Sequence, residues 1–240
     1  MPVRGKRLGG LPLGMAAFFL ASAPASGASA QGPAPLMEVK LRVYQAQCSS
    51  AQPSEVAAAI EGARALLEER CALRLLVQEG RSLGLQSEWC QLPIETQART
   101  KALQRLSAQA KGQHARELAL FLLPTSVDTR LSWAYVDNSL RSNCDSPQEP
   151  RFFGRFGSLF VTDLSWDLSA PAAGAAAPTM PSLLLAHEVL HALTQRGHPT
   201  GAPRGSVMAD HYSDMGPAIE EGWCACARRS PYASPARKKR

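Results

Sequence analysis

Between Pro181 and Leu193 the chain reads PSLLLAHEVLHAL, an apolar segment of helical length into which two histidines and a glutamate are set. Leu183, Leu184, Leu185, Ala186, Val189, Leu190, Ala192 and Leu193 surround them. A helix this apolar has to be buried. Burial leaves no water to satisfy two imidazoles and a carboxylate, so the fold must supply their partners. The spacing, H-E-x-x-H, indicates which partner. Positions i and i+4 share one helix face, so His187 and His191 can grip one metal ion. Glu188 lies one position round from His187, in reach of a water on that ion rather than of the ion itself. Two nitrogen ligands, an open coordination position and a carboxylate to take a proton are what zinc-assisted hydrolysis requires. Pro181 suits a helix start, where its missing N–H costs nothing. Gly197 is the expected left-handed terminator.

A third ligand is needed, and His198 is the first candidate. In an unbroken helix it would lie about 10 Å beyond His191 along the axis, too far for zinc–nitrogen bonds of about 2 Å. The helix must therefore stop and the chain turn back. The segment HEVLHALTQRGHPTGAPRGSVMAD resembles the active site of the metzincin clan of zinc endopeptidases, H-E-x-x-H-x-x-G-x-x-H followed by a methionine-containing turn. By that resemblance His187, His191 and His198 are zinc ligands and Glu188 is the general base. Met208, in Ser206-Val207-Met208-Ala209-Asp210, resembles the methionine of the turn. The likeness covers roughly residues 181–212.

Two positions depart from the pattern. Thr194 stands where the glycine would fall, and the third histidine comes one residue late. Other third ligands stay open: Asp210 and His211, which follow Met208, or Glu220 and Glu221 at the start of a helix expected over Pro217–Arg229. A glutamate ligand from that later helix would resemble the gluzincin arrangement instead. Tyr212 could donate to an oxyanion, although a half-buried structural tyrosine is the simpler reading.

Residues 1–30 read as a secretory signal peptide: basic Arg4, Lys6 and Arg7, an apolar run Leu8–Ala21, and small residues Ala28-Ser29-Ala30 before cleavage. That run is too short and too broken by Gly and Pro to span a bilayer stably. A secreted or periplasmic product without stable membrane insertion is expected. Of the 26 basic residues, three lie in the signal and four in the basic tail 237–240, so residues 31–236 are near neutral at about −1. Nothing in that balance offers a basic face to nucleic acid.

All six cysteines, Cys48, Cys71, Cys90, Cys144, Cys224 and Cys226, lie in the exported part. Up to three disulfides are expected there. Cys224 and Cys226 are too close for an easy mutual bond, so each should reach back and pin the C-terminal helix to the body. Cys48 could in principle cap the metal, but disulfide pairing is preferred.

Along residues 31–236, read as one domain, the pattern predicts a strand over Met37–Ala46 and a helix from Pro53 to about Glu69. A strand over Leu73–Gln78, a helix over Thr96–Ala110 and a central strand over Leu118–Leu123 follow. Short strands over Ser132–Val136 and Ser158–Val161, one of them an edge above the histidine helix, and a loop over Ala170–Pro178 complete the order. This is an α/β organisation, helices packed on a twisted mixed sheet, with the small irregular C-terminal part that the resemblance implies. The expected function is a monomeric zinc endopeptidase acting on peptide or protein substrates. A catalytically silent, metal-bearing binding protein of the same fold is the alternative.

Overall fold

The computed structural model of the 240-residue chain describes residues 34–79, 90, 96–111, 116–136, 157–168, 178–198 and 202–236. The expected signal peptide, the loop over 170–177, Cys144 and the basic tail lie outside the described residues. From residue 34 onward the chain forms one compact unit.

Strand β1 (Met37–Gln45) leads to helix α1 (Pro53–Cys71), then β2 (Leu73–Glu79), α2 (Thr96–Lys111) and β3 (Leu118–Leu123). Next come β4 (Ser132–Ala134), β5 (Ser158–Thr162), a 3₁₀ turn (Asp163–Leu168) and α3 (Met180–Thr194). A second 3₁₀ turn (Tyr212–Asp214), α4 (Glu221–Arg228) and β6 (Ala233–Pro235) follow. The sheet order is β2-β1-β3-β5-β4, with β6 also pairing with β1. Strands β1, β2, β3 and β5 run parallel, and β4 is antiparallel to β5. This is the expected mixed α/β sheet. The helix expected from Pro217 begins only at Glu221, with Pro217–Glu220 in extended and turn structure.

Strand β3 is apolar at every position because both of its faces are covered. Leu118, Leu120 and Leu122 face a core shared with α1, α3 and α4. Ala119, Phe121 and Leu123 face a second core with Leu103, Leu106 and Ala110 of α2. On that second face four rings stack from strand to strand: Tyr44 on Phe121 at 5.2 Å, Phe121 on Phe160 at 5.2 Å, and Phe160 on Trp133 at 4.9 Å. Each pair is also a register pair of the sheet, so the ring ladder ties short edge strand β4 to its neighbours.

Alternation along β4 then sends Ser132 to the opposite face, toward α3. Helix α3 lies there against α1, where Gly62 makes the close approach possible. A Cβ on Gly62 would meet the Ser182 Oγ at 2.3 Å. Disulfides Cys48–Cys90 and Cys71–Cys224 are present, the second joining the end of α1 to α4 as the cysteine spacing implied. Cys48 is therefore committed to a disulfide. No helix among the described residues is long and apolar enough to cross a membrane.

Candidate metal centre

Helix α3 starts as its sequence dictates. Thr179 is the N-cap, its hydroxyl accepting from the Ser182 N–H, and a proline occupies the first turn. From Pro181 to Thr194 every residue is buried, including His187, Glu188 and His191. The end differs from expectation. The left-handed residue is Gln195 (φ 54, ψ 34), whose N–H donates to the His191 carbonyl, whereas Gly197 does not take a positive φ. The Gln195 side chain is buried and its amide donates to the Ala192 carbonyl at 2.8 Å, satisfying an acceptor that the helix end leaves open. That local bonding holds glutamine in a conformation glycine usually takes.

This turn accounts for the late third histidine. In the H-E-x-x-H-x-x-G-x-x-H pattern the glycine precedes the last histidine by three positions. Here the left-handed residue, Gln195, precedes His198 by three. Turn and histidine are displaced together, so the chain still doubles back. His187, His191 and His198 bring ligand nitrogens within 4.8 Å of one another, a group that could hold a metal ion.

Hydrogen bonding prepares the nitrogens. His187 Nδ1 lies 2.7 Å from the Val207 carbonyl, and His191 Nδ1 lies 2.6 Å from that of Arg196. A carbonyl only accepts, so both Nδ1 atoms carry the proton and both Nε2 atoms present lone pairs. Those two Nε2 atoms face each other at 2.9 Å. Two lone pairs at that separation repel unless a cation lies between them, so the donor set fits a metal that favours imidazole nitrogen. Burial lowers the pKa of His187 to about 4, opposed by the bond to Val207. Burial, reinforced by the neighbouring His187, lowers that of His191 to about 3. Both rings are therefore neutral and able to ligate at physiological pH.

The remaining candidates fall into place around this group. Glu188 is buried, and its Oε1 accepts from the Ser132 hydroxyl of β4 at 2.9 Å. Its Oε2 is buried without a protein partner, which leaves it for a water molecule at the centre. Burial raises the Glu188 pKa to about 8, against the lowering effects of Ser132 and of the Arg130 charge. Asp210 pairs with His198 Nδ1 at 3.0 Å. Glu221 pairs with Arg228, and neither Glu220, Glu221 nor His211 joins the histidine group. Met208 is fully buried in the core shared by α3 and α4. Tyr212 is 54% exposed.

Several supporting residues had no mark in the sequence. Ser132 is an ordinary strand serine until the sheet places it under Glu188. The carbonyls of Val207 and Arg196 are backbone groups that every residue carries. Trp223 of α4 packs edge-on against His191, ring centres 5.9 Å apart. Alternation beside Trp133 was the one available hint for Ser132, since it puts the two residues on opposite faces.

No protein-family model matches the sequence, and no curated protein matches it either. Among solved structures, the fold is similar to the crystal structure of metalloproteinase-II from Bacteroides fragilis, with a TM-score of 0.51 and 11% sequence identity. The similarity covers 82% of this chain and 57% of that one, so the chain spans little more than half of its structural neighbour. At that identity the likeness is one of fold alone: a twisted mixed sheet with packed helices.

Proposed function

We propose that this chain is an exported zinc-dependent endopeptidase in which His187, His191 and His198 are the metal ligands and Glu188 is the general base. The observation that carries the reading is the pair of unprotonated, buried Nε2 atoms facing each other beside a glutamate with one oxygen held and one free. The export assignment rests on residues 1–30, and the disulfides suit an oxidising compartment. A zinc ion held by the three histidines would lower the pKa of a water molecule to about 7 and polarise the scissile carbonyl.

The chain's own residues supply the rest. Glu188 Oε2 takes the water proton during attack and returns it to the leaving amine. A cation at the adjacent histidines favours the ionised carboxylate that this role needs, opposing the effect of burial. Ser132 holds Oε1, so the carboxylate presents a single oxygen in a fixed direction. Strand β4 is the last of the sheet order, and its outer edge offers backbone groups to an extended peptide.

The test is zinc content and peptide hydrolysis in purified mature wild type, Glu188→Ala and His198→Ala. The expected result is one zinc per chain in the wild type and in Glu188→Ala, zinc greatly weakened in His198→Ala, and chelator-sensitive hydrolysis in the wild type alone. Undiminished turnover by Glu188→Ala would sink the mechanism. Zinc bound firmly with no cleavage of any peptide would leave a metal-binding protein of this fold.

A further inference from the structure

The first two histidines are fixed by a buried helix, but His198 lies after the helix has ended and is 46% exposed. Its ring touches those of His187 and His191, centres 4.9 and 4.7 Å apart, but nearly half of it faces solvent, so packing restrains it less than the two helix histidines. Its partner is Asp210, 49% exposed, whose Oδ1 lies 3.0 Å from His198 Nδ1. A carboxylate oxygen accepts, so Nδ1 is the protonated nitrogen and Nε2 is left to coordinate. All three histidines thus have an oxygen behind Nδ1, two of them backbone carbonyls and the third an ionised side chain.

We propose that Asp210 is a positioning residue for the third metal ligand: it fixes the tautomer and direction of His198 and strengthens its nitrogen as a donor. This rests on the reading above, that a metal ion sits among the three histidines. Asp210 comes from the chain just past Met208, and Val207, just before it, supplies the carbonyl behind His187. One short segment, Val207–Asp210, therefore orients ligands on both the helix and the loop. The arrangement also spends the carboxylate on the histidine, which keeps the fourth coordination position open.

Zinc affinity, measured by competition with a chromophoric chelator, tests this in wild type, D210A, D210N, H198A and D210A/H198A. D210A should bind about 10- to 100-fold more weakly. D210N should fall between D210A and wild type, because its amide oxygen still accepts from Nδ1 without contributing charge. In the H198A background, D210A should cost no more than about twofold further, since its effect runs through a ring no longer there. Equal thermal midpoints for metal-free wild type and D210A would show that the loss is not one of folding, and D210N carries the test if D210A fails to fold.

Wild-type affinity in D210A and D210N would overturn the proposal. So would losses that multiply independently in the double variant, which would make Asp210 a ligand in its own right. A wild type that binds no zinc would end this inference and the metallopeptidase reading together. Zinc binding that depends on Asp210, without peptide cleavage, would overturn the hydrolytic reading alone.

Discussion

At the scale of single residues, Glu188 is held in two opposed ways. The proposed role as general base needs it ionised, while its buried setting favours the neutral form and raises its pKa to about 8. In metal-free protein this has a definite sign. A carboxyl whose pKa is higher folded than unfolded gives stability that is complete below its ordinary value of 4.5 and lost as pH rises through about 8. Glu188→Gln cannot ionise and can keep a bond to Ser132. The metal-free variant should therefore exceed metal-free wild type in stability at pH 8, by on the order of 3 to 4 kcal/mol, with little gap at pH 5. Urea denaturation at the two pH values checks this; an equal gap at both would mean that the carboxyl does not titrate in a buried site. The histidines act at the acid end. Their folded pKa values are lowered, so the stability they give as neutral groups is lost as pH falls through about 4 and 3. The identities of these residues were legible because H-E-x-x-H sits in a segment too apolar to leave polar groups in water. Their supports were not legible, because a carbonyl behind an imidazole has no residue type.

At the scale of elements, the loop from Gly205 to Ala218 supplies the Val207 carbonyl behind His187 and the Asp210 carboxylate beside His198. Gly205 takes φ +84, its N–H donates to the Asp214 carbonyl, and its carbonyl accepts from the Ala218 N–H. A Cβ on Gly216 would lie 2.6 to 2.9 Å from the Gly205 backbone. Main chain cannot swing aside as a flexible side chain can. Gly216→Ala should thus cost about 1–3 kcal/mol and, by shifting Val207, weaken zinc binding as well. Urea denaturation and a zinc titration on one preparation test both; wild-type values in each would show that the loop yields freely. Most elements were readable from the spacing of their apolar residues, and β3 to the residue from its unbroken apolar run, because their burial is regular. The end of α3 was not. A left-handed glutamine is held by its own buried amide bond to Ala192, and nothing in the sequence distinguishes it from a helical one. The start of α4 was misplaced for a related reason: Ala218 and Ser206 form a bridge that takes the chain out of helical geometry before Glu220.

At the scale of the molecule, the Cys71–Cys224 disulfide joins positions separated by 153 residues. In the chain-entropy account a loop of that size is worth about 5 kcal/mol through restriction of the unfolded chain. Its removal should also loosen α4 and withdraw Trp223 from His191. A Cys71→Ala/Cys224→Ala variant should lose about 2–5 kcal/mol in urea denaturation and bind zinc less tightly than wild type. Retained stability would show that α4 is held by packing alone. The need for such bonds was legible from six cysteines in a chain whose first 30 residues read as a secretory signal, but their pairing was not, since it depends on which ends the folded sheet brings together. The contact between Trp223 and His191 has an optical consequence. An indole at right angles to a histidine that would hold the metal feels any change in that ring's charge, so the protein's own ultraviolet emission should report occupancy of the centre without added dye. Zinc titrated into the stripped protein should change the tryptophan signal in wild type, and the change should shrink or vanish in Trp223→Phe.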